Sequence, residues 1–262
     1  MMRILLTGHK GFIGSRIYAT LQNEGYDITG IDLGDKVPDG KFDIILHFGA
    51  RTLIRNSIKA PYEYFLDGLA LTVKFLERAR IDEALFVFPT SGSIAEATNP
   101  YSLSKKNGSE WLKLYEDLYG LKTITLKLFN IYGETSRKGA VYLFTKAALY
   151  GENIPVYGGG NQVRDFVHVN DLVKCIVRIV KGEVGPGSYE IGTGTGTSIN
   201  SLINQIEKIT GKRVNREEKD FLLKEAPSLF AKEPLPKDPL PLSEGIKRVM
   251  DSLLREKMLN EK

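Results

Sequence analysis

The chain has 262 residues, 42% hydrophobic and 26% charged, enough apolar material for one large core or a core with a smaller lobe. The formal net charge of +4 is small for this length and Lys and Arg are scattered, so nucleic-acid and membrane surfaces are not indicated, while anionic small molecules remain compatible partners. One cysteine, Cys175, excludes an internal disulfide, and the N-terminus enters a strand pattern without a signal-type apolar run, so the expected compartment is the cytoplasm.

Residues 3–7 read as a buried strand running into Gly8, Gly11 and Gly14, spaced three apart, ahead of a helical pattern over residues 12–24. The next apolar run, residues 26–31, ends at Asp32, eighteen residues after Gly14. This is the outline of a βαβ unit that cradles a dinucleotide. Gly8 permits the tight turn, Gly11 lets backbone approach a pyrophosphate, Gly14 lets the helix lie close on the sheet, and the N–H groups of the helix start face phosphate charge. An acidic residue at the second strand end accepts from a ribose 2′-hydroxyl and repels a 2′-phosphate, so Asp32 favours NAD over NADP. No arginine immediately follows it; Leu33, Gly34 and Asp35 do.

Further along, apolar runs at residues 42–48, 84–88 and 123–129 read as buried strands, and residues 62–80 and 101–119 carry apolar residues at helical spacing. Alternating strands and helices predict an α/β fold, a Rossmann-type doubly wound parallel sheet covered on both faces. Asn99-Pro100 suits the start of the helix over 101–119 and Gly120 its end. Beyond Phe129 the regularity loosens, with glycine-rich loops at 133–139, 158–160 and 192–197 and helices expected over 171–181, 199–210 and 243–259. Residues 227–241 hold five prolines and should be extended and irregular. His9, His47 and His168 lie far apart without clustered thiols, so no metal site is expected.

Tyr101-Ser102-Leu103-Ser104-Lys105 sets a phenol and an ammonium four residues apart, on one helix face. A nearby cation stabilises a phenolate, so Lys105 is expected to lower the Tyr101 pKa toward working pH, as a general base or acid requires. Upstream, the strand over 84–88 runs into Pro89-Thr90-Ser91-Gly92-Ser93, whose hydroxyls can share a substrate oxygen with Tyr101. A bare Tyr-x-x-x-Lys is common by chance; its place behind a dinucleotide fingerprint and a hydroxyl-rich strand end gives it weight.

Thr7-Gly8-His9-Lys10-Gly11-Phe12-Ile13-Gly14, the run 43–47 before Gly49-Ala50, Tyr101 with Lys105, Asn130-Ile131-Tyr132-Gly133 and the run 164–171 together resemble the extended short-chain dehydrogenase/reductase family, specifically its NAD-dependent nucleotide-sugar epimerases and dehydratases. The similarity runs in order from residue 1 to about residue 205. The resemblance implies a cofactor site at Gly8, Gly11, Phe12, Ile13, Gly14, Asp32, Phe48, Gly49, Ala50, Tyr101 and Lys105. It implies that Tyr101 takes a proton from a sugar hydroxyl while NAD takes a hydride from the same carbon, that Lys105 holds the nicotinamide ribose, and that Ser91, or failing it Thr90, holds the reacting oxygen. Asn130 and Arg164 match diphosphate contacts, and Val156 and Tyr157 match the wall of the base pocket. Further implications are a UDP-sugar substrate and a homodimer formed through the helices over 62–80 and 101–119. The expected layout is one compact unit over 1–262, with a dinucleotide-binding part (1–130 and 164–192) and a small C-terminal substrate lobe (131–163 and 193–262).

The departures are specific. Only ten residues separate Asp32 from Asp43, where the family has a third strand and helix, so the sheet should lack that edge strand and the adenine pocket should be more open. The segment between Ser91 and Tyr101 is also short, which strips the flap over the sugar. Ala95-Glu96 replaces a common tyrosine-glycine pair, and Gly68 a common asparagine. The dehydratases' Asp-Glu pair is Gly92-Ser93 here, which disfavours dehydration. A reductase of a nucleotide-linked 4-keto-deoxy sugar is the closer rival; its branch uses NADPH and a cysteine two residues after the serine, and Asp32 and Ser93 argue against both. A non-catalytic cofactor-binding relative is the third reading, against which Tyr101, Lys105 and Ser91 stand together.

Overall fold

Ile4, Leu5 and Leu6 are wholly buried, as central-strand residues flanked on both faces must be, and they form β1 (Arg3–Thr7). The structure, a computed structural model, describes residues 2–92, 97–221 and 226–260; Ser93, Ala95 and Glu96, singled out in the sequence, lie outside the described residues. After β1 come α1 (Phe12–Asn23), β2 (Asp27–Ile31), β3 (Ile44–His47), α2 (Ile54–Lys59), α3 (Pro61–Tyr64), a π-helix (Phe65–Ala70), α4 (Leu71–Asp82), β4 (Leu85–Ser91), α5 (Pro100–Tyr119) and β5 (Thr123–Leu128). They are followed by β6 (Asn130–Tyr132), α6 (Ala140–Tyr150), β7 (Asn153–Tyr157), β8 (Val163–Arg164), β9 (Phe166–His168), α7 (Val169–Val180) and β10 (Gly187–Ile191). The chain closes with β11 (Thr197–Ser198), α8 (Ile199–Thr210), β12 (Asn215–Lys219), β13 (Ser228–Leu229) and α9 (Leu242–Asn260).

The chain divides into two compact units, Met1–Leu128 with Val173–Glu190, and Phe129–Leu172 with Ile191–Lys262. The expected partition put 164–172 with the dinucleotide-binding part. Here they belong to the second unit, because β9 pairs in parallel with β6 and draws the start of α7 with it.

In the first unit a six-stranded sheet has the order β10-β5-β4-β3-β1-β2, and the β1–β2, β1–β3, β3–β4 and β4–β5 pairs are all parallel. The order reverses between β1 and β3, and the crevice beyond the carboxyl ends of two such strands is where open α/β sheets bind ligands. The sheet ends at β2, as the short connector between Asp32 and Asp43 requires. That connector is closed by cations: Arg3 Nη1 donates to the Lys41 carbonyl at 3.0 Å, and Arg78 donates to the Gly40 carbonyl. Both guanidiniums lie on the ring of fully buried Phe42, at 4.9 and 5.3 Å from its centroid. Phe42 thus plugs one side of the core that holds Ile45, Phe75, Leu76, Phe86, Phe88 and Leu112.

The helix read over 62–80 is three pieces. Thr72 Oγ1 donates back to the Gly68 carbonyl at 2.6 Å, and Gly68 lies so near α5 that a Cβ there would stand 3.1 Å from Ser104 Cβ, so the turn widens into the π-helix. The helix over 101–119 stands as α5, with the Asn99 side chain accepting from Ser102 N–H at 3.0 Å and Gly120 closing it at φ +64°.

In the second unit α6, α8 and α9 pack around Val141, Phe144, Leu202, Ile203, Ile206, Ile246 and Val249. Among the described residues no helix is long and apolar enough to cross a membrane.

Phe42 carries the closure of the shortened connector. Phe42→Ala should lower unfolding stability by about 3–5 kcal/mol, read from urea melts.

Candidate active site

The glycine turn after β1 has the geometry its spacing predicts. Gly8 sits at φ +76°, and a Cβ on it would meet Gly49 Cα at 2.8 Å; a Cβ on Gly14 would stand 2.0 Å from the Gly8 carbonyl oxygen. No side chain larger than hydrogen fits at Gly14 without moving the turn. Gly11 is the N-cap of α1, without a side-chain cap and without an acidic residue in the first turn, so the helix start presents backbone N–H groups to an anion. Phe12 and Ile13 open that helix, half-buried, and Phe48, Gly49 and Ala50 leave the end of β3.

Between these strand ends lies a cavity of about 510 Å³, walled by Thr7, Gly8, Asp32, Gly49, Ala50 and, from the helix side, Leu71 and Phe75. Val37 of the short connector lines it as well. Asp32 is at its rim with the carboxylate held by the glycine loop: Oδ2 accepts from Lys10 N–H at 2.9 Å and Oδ1 from Leu33 N–H at 3.3 Å. A cradle that a Cβ would fill, a bare helix start and an oriented rim carboxylate fit an adenine dinucleotide.

Tyr101 and Lys105 stand on the first turns of α5, which lies tight on β4 because Gly108 has no Cβ to strike Phe88; one would be 2.8 Å from that ring. Lys105 is buried, its Nζ donating to the Pro89 carbonyl at 2.9 Å and lying 4.5 Å from the centre of the Phe88 ring. Burial lowers its pKa to about 8. Thr90 and Ser91 end β4; Thr90 is buried, its Oγ1 without a hydrogen-bond partner among the described residues, and Ser91 is half-buried.

The expected lowering of the Tyr101 pKa is not what the chain itself produces. The phenol is raised to about 12, first by burial and then by the neighbouring Tyr64 phenol. Desolvation sets the direction, and the ammonium meant to stabilise the phenolate is hydrogen-bonded to Pro89.

The residues predicted to contact the diphosphate and the base belong to the second unit, whereas Ser91 lies in the first. Asn130 begins β6, with its backbone N–H and its Nδ2 donating to the Asp165 carbonyl at 2.9 and 3.2 Å. Arg164, on β8, donates from Nη1 to the Val163 and Ala226 carbonyls at 2.8 and 3.0 Å. Tyr157 ends β7 ahead of the turn Gly158–Gly160. Val156 does not offer its side chain to a pocket: it is 1% exposed and packed in the core of this unit, which leaves only its backbone for a ligand.

The sequence reading missed the role of Asp165. Its wholly buried carboxylate accepts from the Thr193 N–H and hydroxyl (2.9 and 2.6 Å), the Gly194 N–H (3.0 Å) and the Ala231 N–H (3.1 Å). It thereby fixes both the glycine-rich loop over 192–197 and the loop that follows β13 at Ala231, and a Cβ on Gly192 would stand 2.4 Å from its Oδ2. The available signal was an acidic residue between two strand-like pairs with a Gly-Thr repeat downstream. Among the described residues no group of three or more His, Cys, Asp or Glu is placed to hold a metal ion.

The sequence profile of the NAD dependent epimerase/dehydratase family matches residues 4–192, which span the glycine turn, the Tyr101–Lys105 helix and the Asp165 loop. The chain belongs to that family. Among curated relatives, a protein of Methanocaldococcus jannaschii named "Putative UDP-glucose 4-epimerase" is 31% identical, covering 95% of this chain and 97% of its own. A UDP-glucose 4-epimerase of Mycolicibacterium smegmatis is 27% identical over 80% of this chain and 83% of its own. The same fold is seen in the solved UDP-glucose 4-epimerase of Thermotoga maritima with UDP-glucose, at TM-score 0.85 and 24% identity, covering 98% of this chain and all of that one. For an NAD dependent epimerase/dehydratase family member, an oriented rim carboxylate and half-buried Tyr101 with buried Lys105 are the chemically informative parts of the first unit.

Holding Lys105 out of water costs stability. Its folded pKa of about 8 lies below its ordinary 10.5, so the penalty is complete below pH 8 and disappears as pH rises toward 10.5. Lys105→Met should therefore unfold about 1–3 kcal/mol later than the parent at pH 7, with the gap closing by pH 10.5, as read from urea melts across pH.

Proposed function

We propose that this chain epimerises a nucleotide-diphosphate sugar, a UDP-sugar, through a transient 4-keto intermediate, with NAD as a cofactor that ends each turnover as it began. The observation that carries this reading is the pairing of Tyr101 with Lys105 one turn apart on α5, where Lys105 is anchored to the hydroxyl-bearing end of β4. The family match and the relatives named as UDP-glucose 4-epimerases support the reaction class and the substrate class.

When bound, NAD supplies a hydride acceptor that also returns the hydride, and a positively charged nicotinamide. The chain's part is proton transfer and positioning. Tyr101 Oη takes the proton of the sugar hydroxyl and gives it back after the intermediate has turned its other face. Without an added positive charge the phenol keeps its proton at neutral pH, so base strength is conferred only in the loaded site. Ser91, half-buried at the last position of β4, or failing it the more deeply buried Thr90, holds the reacting oxygen. Asp32 accepts from the adenosine ribose hydroxyls and disfavours a 2′-phosphate. Asn130, Arg164, Tyr157 and the backbone at Val156 bind the diphosphate and base.

The protein is also proposed to be a cytoplasmic homodimer. Tyr62, Phe65 and Leu66 around the π-helix and Leu103, Trp111, Leu114 and Leu118 on α5 are exposed apolar side chains on helices that pack together, a concentration that calls for cover. The lone Cys175 is buried, in keeping with a reducing compartment.

Incubation with UDP-glucose, UDP-galactose and their N-acetyl forms, without added cofactor, should give interconversion by proton NMR. Tyr101→Phe should lower that rate about 10³-fold while NAD remains bound, and a variant near the parent rate would refute the assignment. The parent should sediment as a dimer at micromolar concentration and Leu114→Glu with Leu118→Glu as a monomer; a monomeric parent would remove the dimer from the proposal.

A further inference from the structure

His47 ends β3 in the middle of the first unit's core, 1% exposed, with its ring faces covered by Phe75, Phe86 and Phe88 at centroid distances of 5.2, 5.7 and 6.2 Å. Among the described residues its two nitrogens meet one hydroxyl each: Nδ1 is 2.9 Å from Thr7 Oγ1 and Nε2 is 3.1 Å from Thr72 Oγ1. Thr72 decides which nitrogen carries the proton. Its one hydroxyl hydrogen goes to the Gly68 carbonyl at 2.6 Å, so toward His47 it can only accept, and Nε2 must be the N–H. Nδ1 is then a bare lone pair. Thr7 must donate to it, and the lone pairs left on Thr7 Oγ1 accept the Gly49 N–H at 2.8 Å. Four hydrogen bonds therefore run in one direction, from the Gly49 amide through Thr7, His47 and Thr72 to the Gly68 carbonyl. Burial, and then the charge of Lys105, lower the ring's pKa to about 3, so it stays neutral at working pH.

Both ends of the chain of bonds lie at functional elements. Gly49 walls the dinucleotide cavity and abuts Gly8, and Gly68 lies in the π-helix against Ser104, between Tyr101 and Lys105 on α5. We infer that His47, fixed as the Nε2–H tautomer, is a positioning residue that registers the helix carrying Tyr101 and Lys105 against the cofactor wall. Its bearing on turnover rests on the epimerase reading; its tautomer and its bearing on NAD binding do not.

Long-range proton–nitrogen NMR of the intact protein between about pH 6 and 9 should show His47 with Nε2 protonated, Nδ1 bare and no titration. The other tautomer, or a ring that titrates, overturns the inference. Thr7→Val breaks the bonds at Nδ1 and at Gly49, and should raise the NAD dissociation constant at least about tenfold with the fold intact by circular dichroism. Unchanged NAD affinity in that variant counts against the inference even if no sugar is turned over. Thr72→Val should lower kcat at least about tenfold with KM within about twofold, and Thr72→Ser should restore it. A folded Thr72→Val at the parent kcat, or a serine variant no better than the valine one, would overturn it. An inactive parent would refute the epimerase reading alone, leaving the tautomer and the Thr7→Val affinity to decide the inference.

Discussion

The ammonium of Lys105 is held out of water between a backbone carbonyl and an aromatic face, and this placement sets how the first unit is arranged around its helix α5. A lysine buried this way is tolerated only with an acceptor and a polarisable surface beside it, and Pro89 and Phe88 of β4 supply them. The close approach this needs is possible because Gly108 brings no Cβ toward the Phe88 ring. The sheet edge of the site, the helix that bears Tyr101 and the residues Thr90 and Ser91 are thus tied by one contact. The same desolvation raises the phenol and lowers the amine, so at neutral pH the phenol keeps its proton while the amine stays largely charged.

The second unit solves a different problem with similar means. Asn130 and Arg164 lie on strands of only three and two residues, which have little ladder bonding to hold them. Asp165 compensates by gathering the N–H groups of Thr193, Gly194 and Ala231 around one buried carboxylate, and its carbonyl receives Asn130. A fully satisfied buried carboxylate of this kind rigidifies the loops that converge on it. Rigid loops are what a diphosphate contact at Asn130 or Arg164 would require.

Much of the first unit was legible in the sequence because its signals are local. The strand over 3–7, the glycine spacing, Asp32 and the helix over 101–119 all follow from neighbours within a few residues, and the ten-residue gap between Asp32 and Asp43 showed that β2 would close the sheet. What the sequence did not show depends on contacts made across the fold. The π-helix arises from the approach of Gly68 to Ser104, far apart in the chain. Helix α6 gave no amphipathic pattern because Val141, Tyr142, Phe144, Thr145, Ala147, Ala148 and Leu149 bury nearly its whole circumference. The direction of the Tyr101 shift was misjudged because a Tyr-x-x-x-Lys spacing reports distance to a cation but not the loss of water around both groups. Val156 was misjudged likewise: alternation along β7 turns its side chain into the core.

Because among the described residues no strand pairs with the outer side of β2, its outward backbone donors and acceptors have no ladder partner there, the kind of rim on which other polypeptides add themselves and precipitate. Here the strand is only five residues long, carries exposed Asp27 at its start, and holds Gly30 beneath the His9 imidazole, whose Cγ would lie 2.5 Å from a Cβ there. A bulky, charged and abbreviated border of this sort gives an incoming strand too few sites to zip along, so economy in the fold is bought without making the molecule sticky.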